Sequence, residues 1–382
     1  MARWRCERSG FGWSPAGPAP TATTQGVFED SVLFGQSAAF SGPAQELGLN
    51  MRLGIEAAFA EANRRGGVHG RRLELASLDD SYEPEAAVTN TQQLIESDGV
   101  FALIGEVGTP TSRSATPVAA AAQVPFIAPF TGAEFLRSED WRNIINLRSS
   151  YYQETEEIVA RLIADQGVDR IAVMFQDDSF GRAGYRGVLQ ALDRRDMAPV
   201  AIGLYPRNTT AVRTALLDLQ QGDPDAVVLV GAYEPVAALI AWARYLGEDW
   251  TFVTISFVGA NALAEELGPF GDGVFVTQVV PSPDDDSLPV VASYRAALEA
   301  HDPAAAPGFV SLEGYLAGRL AIVGLERCGR GLSRTCFLNE ILAGEPVDID
   351  GFGLAFGSDN QGSDAVFLTV IRDGRYVATD SM

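Results

Sequence analysis

The chain of 382 residues contains no lysine: all 28 of its basic residues are arginine, set against 50 acidic ones, for a net charge of −22. An acidic chain of this size rarely assembles the basic face that a phosphate backbone requires, which argues against a nucleic-acid partner. The missing lysine has a plain reading in coding bias, since arginine and lysine differ in consequence only at specific sites. It also removes the phosphate-cradling lysine of a Walker loop, whose glycine spacing is absent too. Histidine is nearly absent: His69 lies in the turn GGVHGR and His301 at a helix end, so both read as solvated residues rather than acid–base groups. The three cysteines form no Cys/His metal spacing, and there is no G-x-S-x-G elbow. "GFGLAFG" at 351–357 lacks the G-x-G-x-x-G spacing and a following helix, so it is no dinucleotide loop. No apolar run approaches the roughly 20 residues that span a bilayer. The pair Asp177/Asp178 remains as a candidate acid–base couple, although it serves equally to hold a cation or open a turn.

What is present is an ordinary globular composition, 47% hydrophobic and 20% charged, in a chain longer than one core usually organises. Residues 1–26 are rich in Pro, Gly, Ser and Thr and read as a disordered leader. It carries basic residues but no apolar segment of the signal-peptide kind. From residue 31, short apolar runs alternate with amphipathic ones, which predicts βαβ units and parallel sheets. Strands are predicted at 31–35, 72–78, 100–104 and 125–128, with helices at 44–64, 85–96 and 111–122. A second series predicts strands at 170–175, 198–202, 226–230, 251–254 and 273–277, with helices at 153–165, 183–194, 211–220, 235–246 and 261–267. A polar stretch at 143–150 separates the two series, which implies two doubly wound lobes. The tail predicts helices at 288–300, 310–327 and 334–343 and strands at 351–356 and 366–371. Its apolar faces must complete one or both lobes, so the chain crosses between them more than once. Cys328 and Cys336 flank a turn between two of these helices, where either a disulfide or two thiols is possible.

Ligands of open α/β sheets sit beyond the carboxyl ends of the strands. The loops there read QSAAFSGP, DDSYE, EVGTPT and FTG in the first lobe, and QDDSF, AYEP and SF in the second. They offer hydroxyls, aromatics and carboxylates. Thr109, Thr111 and Ser112 stand at a helix start, where they either cap the helix or present donors beside its amides. A small carboxylate suits such a site better than a phosphate.

"SGPAQELGLNMRLGIEAAFAEANRRGGVHGRRLEL", "DDSYEPEAAVTNTQQLI", "ALIGEVGTPTSRSATPVAAAAQVPFIAP" and "RIAVMFQDDSFGRAGYRGV" resemble, in order and spacing, the type I periplasmic solute-binding proteins of the leucine/isoleucine/valine-binding kind. The resemblance runs from about Val32 to the C-terminus. It implies two Rossmann-like lobes joined by a three-strand hinge, a ligand enclosed as they close, no catalysis, no cofactor or metal, and a monomer that delivers to an ABC-type permease. The implied location is the periplasm or the extracellular face of the membrane, although no export signal is legible. The division it implies is a leader at 1–29, a first lobe of 30–147 plus 279–355, and a second of 148–278 plus 356–382.

Carried over by position, Thr109 stands where the family binds an amino-acid carboxylate, with Gly108 beside it. Phe130, Thr131 and Gly132 stand in the loop that supplies a carbonyl and a hydroxyl. Phe180 stands where a tyrosine covers the ligand, and Tyr233 matches another aromatic. Three positions depart from the pattern: Leu47 replaces an aromatic, Gly132 lacks a hydroxyl, and Phe257 stands where the family's acid meets the ligand ammonium. A buried ammonium without a carboxylate is costly, so Asp178, Glu106 or Glu234 must replace that charge, or the ligand is an apolar or aromatic carboxylate or an amide. A sensor module signalling to a kinase or chemoreceptor, and a hydrolase or ligase using Asp177 and Asp178, are the alternative functions.

Overall fold

The computed structural model describes residues 24–357 and 360–382. The first sheet is built from β1 (Ser31–Ala38), β2 (Arg72–Asp79), β3 (Ala102–Ile104), β4 (Phe126–Ile127) and β5 (Ile144–Ile145), all parallel in the order β2-β1-β3-β4-β5. Between them run α1 (Gln45–Arg64), α2 (Pro84–Gln92) and α3 (Thr109–Ala121). The second lobe begins with α4 (Tyr151–Gln166), followed by β6 (Ile171–Gln176), α5 (Ser179–Asp193), β7 (Ile202–Tyr205), α6 (Arg213–Gln221), β8 (Ala226–Val230), α7 (Tyr233–Leu246), β9 (Thr251–Thr254), α8 (Ala260–Leu267) and β10 (Phe275–Gln278). Helices α9 (Pro289–His301) and α10 (Phe309–Cys328) return to pack on α1, and α11 (Arg334–Leu342) packs on α10. The hairpin β11 (Val347–Ile349) and β12 (Phe352–Leu354) follows. Then β13 (Phe367–Arg372) and β14 (Arg375–Ala378) join the second sheet, ordered β14-β13-β10-β9-β8-β6-β7, through antiparallel pairing at β10.

The apolar text explains the layering. Every residue of β6 and β8 is buried, as in a strand covered by helices on both faces, whereas the edge strand β7 alternates exposed and buried. Strands 226–230 and 251–254 fall where the sequence predicts them. The strand predicted at 198–202 begins only at Ile202, where pairing with Val173 starts; Pro199 has no N–H to donate to a ladder. Helix α3 begins two residues earlier than predicted, because Pro110 suits its first turn.

The chain passes between the sheets three times: through 146–150, through 279–288, and between β12 and β13. The first and third passages lie side by side, with the Asn146 N–H donating to the Asn360 carbonyl at 2.9 Å and the Gly362 N–H to the Asn146 carbonyl at 2.8 Å. Of the leader predicted for 1–29, residues 1–23, including Cys6, lie outside the described residues. Thr24 and Gln25 hydrogen-bond the carbonyls of Leu332 and Ile95 at 3.2 and 2.7 Å. Among the described residues no helix is long and apolar enough to cross a membrane.

Cys328 and Cys336 are joined by a disulfide, Cα–Cα 5.9 Å, that ties the end of α10 to α11. Closing so short a loop restricts the unfolded chain by about 2–3 kcal/mol. The double Cys328→Ser/Cys336→Ser variant should therefore unfold at lower urea than the oxidised protein, and reductant should shift the wild type alone.

Candidate functional site

The loops at the carboxyl ends of the two sheets meet face to face, with α3 approaching α5. Helix α3 starts at Thr109 after Gly108, whose φ of 106° few other residues adopt, and no side chain caps it. Pro110 has no N–H, and the first amide to bond back is Ser112, to the Gly108 carbonyl at 3.1 Å. The Thr109 and Thr111 amides thus have no acceptor within the helix. The Thr111 hydroxyl is turned back to the Gly108 carbonyl at 3.0 Å, while the Thr109 hydroxyl lies 2.7 Å from that of Thr131. The Thr131 hydroxyl donates in turn to the Tyr151 hydroxyl at 3.2 Å. Tyr151 is the first residue of α4, placed by a capping box between Ser150 and Gln153. It also explains Gly132: a Cβ there would come 2.5 Å from the ring of Tyr151, whose hydroxyl joins those of Thr109 and Thr131.

Beside this hydroxyl trio the site is aromatic. The Phe257 ring is fully buried, 4.4 Å from Phe180, 5.5 Å from Phe130 and 6.2 Å from Tyr82 between centroids, and Tyr151 meets Phe180 edge-on at 5.7 Å. Thr109, Phe130, Thr131, Phe180 and Phe257 are therefore one constellation with rings from both lobes. Tyr82 leans over Gly108, and its hydroxyl faces Gln176 without completing a hydrogen bond. Burial pushes the Tyr82 hydroxyl well above its ordinary range, with the nearby Asp178 charge adding to the shift. Tyr233 is buried but lies apart, at the turn where Leu47 packs against Gly259. Burial pushes its hydroxyl up to about 12.

The charged residues near the cleft are committed elsewhere or isolated. Asp178 caps α5, accepting the backbone amides of Phe180 and Gly181 at 2.8 and 3.2 Å, and accepts from the Gln176 side-chain Nε2 at 2.7 Å. Asp177 pairs with Arg182 on the surface, at 2.6 Å. Burial raises the pKa of the half-buried Glu234, with the charge of Glu266 adding to the shift. Glu106 is buried beside Asp80 with no donor to either carboxylate oxygen. Burial, reinforced by Asp80, holds it well above the usual carboxylate range. Asp80 itself is pushed up to about 6 by burial, against hydrogen bonds from Ser37 and the Tyr82 amide. His69 and His301 are exposed, and among the described residues no cluster of His, Cys, Asp or Glu is placed to hold a metal.

Sequence reasoning missed Arg148. It lies in the first passage between the lobes, fully buried, with its guanidinium 4.7 Å from the centre of the Phe130 ring. Its partners are Glu154 at 3.8 Å and Glu313 at 3.6 Å, and it donates to the Ser256 hydroxyl next to Phe257. Glu154 accepts from the Ser256 amide and hydroxyl at 2.8 and 3.0 Å and from Thr277 at 2.6 Å. Burial pushes Glu313 up to about 7, with Arg148 opposing. Only the burial of the stretch 143–150, which its polar text disguises, would have revealed this cluster.

Glu106, Asp80 and Glu313 have folded pKa values above their unfolded ones. At low pH they are protonated in both states and no penalty arises; stability is lost as pH rises from the unfolded values through the folded ones. Glu106→Gln should leave the thermal midpoint unchanged at pH 4 and raise it at pH 8. A lower midpoint at pH 8 would mean that the charge stabilises the fold.

A family model described as periplasmic binding protein matches residues 31–375. The chain is 24% identical over 386 residues to Leu/Ile/Val-binding protein homolog 7 of Brucella abortus (strain 2308), covering 95% of this chain and 92% of that one. It superposes on a possible leucine/isoleucine/valine-binding protein from Rhodopirellula baltica SH 1 with a TM-score of 0.88 and 39% identity, over 94% of this chain and 98% of that one. A substrate-binding periplasmic protein from Ralstonia solanacearum gives 0.85 and 26%, over 91% and 99%. The chain belongs to the periplasmic binding protein family, type I, of the leucine/isoleucine/valine-binding kind, whose members bind solutes and are not enzymes.

Proposed function

We propose that this protein is the solute-binding component of an ABC importer. In this reading it works outside the cytoplasmic membrane, enclosing a small organic solute as its lobes close and presenting the closed shape to permease subunits. The moving bodies are residues 30–147 with 279–355 and residues 148–278 with 356–382, turning about the three passages. The solute carries a carboxylate or amide and an apolar body, without an ammonium group. Thr109, Thr131 and the first amides of α3, beside Gly108 and Gly132, receive the polar end. Phe130, Phe180 and Phe257 enclose the body, and Tyr233 walls the margin.

The observation that carries this reading is Phe257, a buried phenyl ring at the position from which the family would meet an ammonium. Transferring an ammonium next to it without an anion would be strongly unfavourable. Two proteins that share the fold at 17% and 18% identity hold isoleucine and benzoate, so a like fold accommodates carboxylates with and without an amine. Glu106 favours a second reading, because a buried carboxylate without a donor would welcome an ammonium.

Thermal shift of protein unfolded and refolded to strip retained ligand separates the two. At about a hundredfold excess over Kd, a ligand raises the midpoint by about 3 °C. The panel should respond to 4-methylpentanoate, benzoate or their amides and not to leucine, and Thr109→Val should weaken binding about 10- to 100-fold through loss of a charge-assisted bond. Stabilisation by α-amino acids alone, abolished in Glu106→Gln, would establish the second reading. No response to any compound would defeat both.

A further inference from the structure

The rim of the cleft carries an ion-pair bridge that the ligand constellation does not use. It starts in the first-lobe loop 79–83, where Ser81 and Tyr82 both adopt left-handed backbone, with φ of 50° and 62°. Asp79 and Asp80 hold that shape by accepting the Ser81 and Tyr82 amides, each at 2.9 Å. The conformation turns Tyr82 over Gly108 and places Glu83 at the start of α2, where its side chain makes no capping bond. The freed carboxylate reaches the second lobe. Its Oε2 accepts from Arg207 Nη2 at 2.6 Å, and its Oε1 accepts from Asn208 Nδ2 at 2.7 Å. Asn208 also donates to the Ser81 carbonyl, at 3.3 Å. On its other side Arg207 Nη1 lies 3.5 Å from Asp178 Oδ2, and Asp178 holds the Phe180 amide.

One ring that meets Phe257 from each lobe is thus wired to the same guanidinium: Tyr82 through its neighbour Glu83, and Phe180 through Asp178. We infer that Glu83, Arg207 and Asn208 form a clamp that favours the closed arrangement and positions Tyr82 and Phe180 around the solute. This rests on the proposed reading that the lobes close on a ligand. It assigns Asp178 a positioning role through Arg207, in place of contact with a ligand ammonium. The carboxylate is engaged on both oxygens, which gives the clamp direction as well as attraction. Its side chains keep 24% and 44% of their exposure, so salt must weaken it.

Small-angle X-ray scattering on the ligand-stripped full chain tests this without any solute. At 50 mM salt, Glu83→Gln and Arg207→Ala should each lower the closed-to-open ratio about two- to fivefold, seen as a larger radius of gyration. Because both remove the same bridge, the double variant should expand no further than either single one. Arg207→Lys should fall between the wild type and Arg207→Ala, and 1 M salt should bring the wild type to the variants. Both substituted positions lie on the partly exposed cleft rim, so unchanged thermal midpoints should accompany the change in shape. Identical scattering from wild type and variants at both salt concentrations, or additive expansion in the double variant, would overturn the clamp. That failure would leave the solute class untouched, just as an unresponsive thermal panel would leave the clamp standing.

Discussion

The site depends on one constraint: a buried charge must have a partner. Phe257 has no exposed surface and touches rings contributed by Phe130 and Tyr82 on one side and Phe180 on the other. With a phenyl ring there, the second lobe meets the first through aromatic contact, beside the hydroxyls of Thr109, Thr131 and Tyr151 and the start of α3. Gly132, which looks like a loss in the sequence, belongs to the same arrangement, since it makes room for the Tyr151 ring.

Charge near the cleft is handled by pairing it within the protein. Arg148 enters with the first passage between the lobes and meets Glu154 of α4 and Glu313 of α10, so one guanidinium contacts the passage, the second lobe and a helix packed on α1. A cluster of that kind is weak evidence for stability, because desolvation offsets much of its attraction, but removing one member would leave another charge buried. Its position beneath Phe130 and Ser256 ties the geometry of the aromatic wall to that of the passage. Glu106 is the exception, a buried carboxyl without a donor, whose burial, reinforced by Asp80, raises its pKa.

Much of the architecture could be read from periodicity, because βα repetition writes each buried strand as a short apolar run. Ala226–Val230 and Thr251–Thr254 are central, covered on both faces, and appear where they were expected. Ile144–Ile145 was hidden because two residues in a polar stretch carry no period, although they form a sheet edge. The same stretch concealed Arg148, and with it Tyr151 just beyond its end, whose significance lies in contacts with residues far along the chain. Thr109, Phe180 and Phe257 were legible from loops following strands. Asp178 was legible as polar and near the cleft, but its commitment to the α5 amides and Arg207 is a matter of distance that spacing does not encode. Glu234, likewise well placed in the text, faces Glu266 instead.

The central claim is that the cleft takes a carboxylate-bearing or amide-bearing solute without an ammonium, because Phe257 stands where a counter-charge would be needed. Calorimetric titration of the ligand-stripped protein with a matched pair, leucine and its des-amino analogue 4-methylpentanoate, isolates that one group. The account predicts measurable heat and tighter binding for 4-methylpentanoate. Tight binding of leucine with none of 4-methylpentanoate would contradict it.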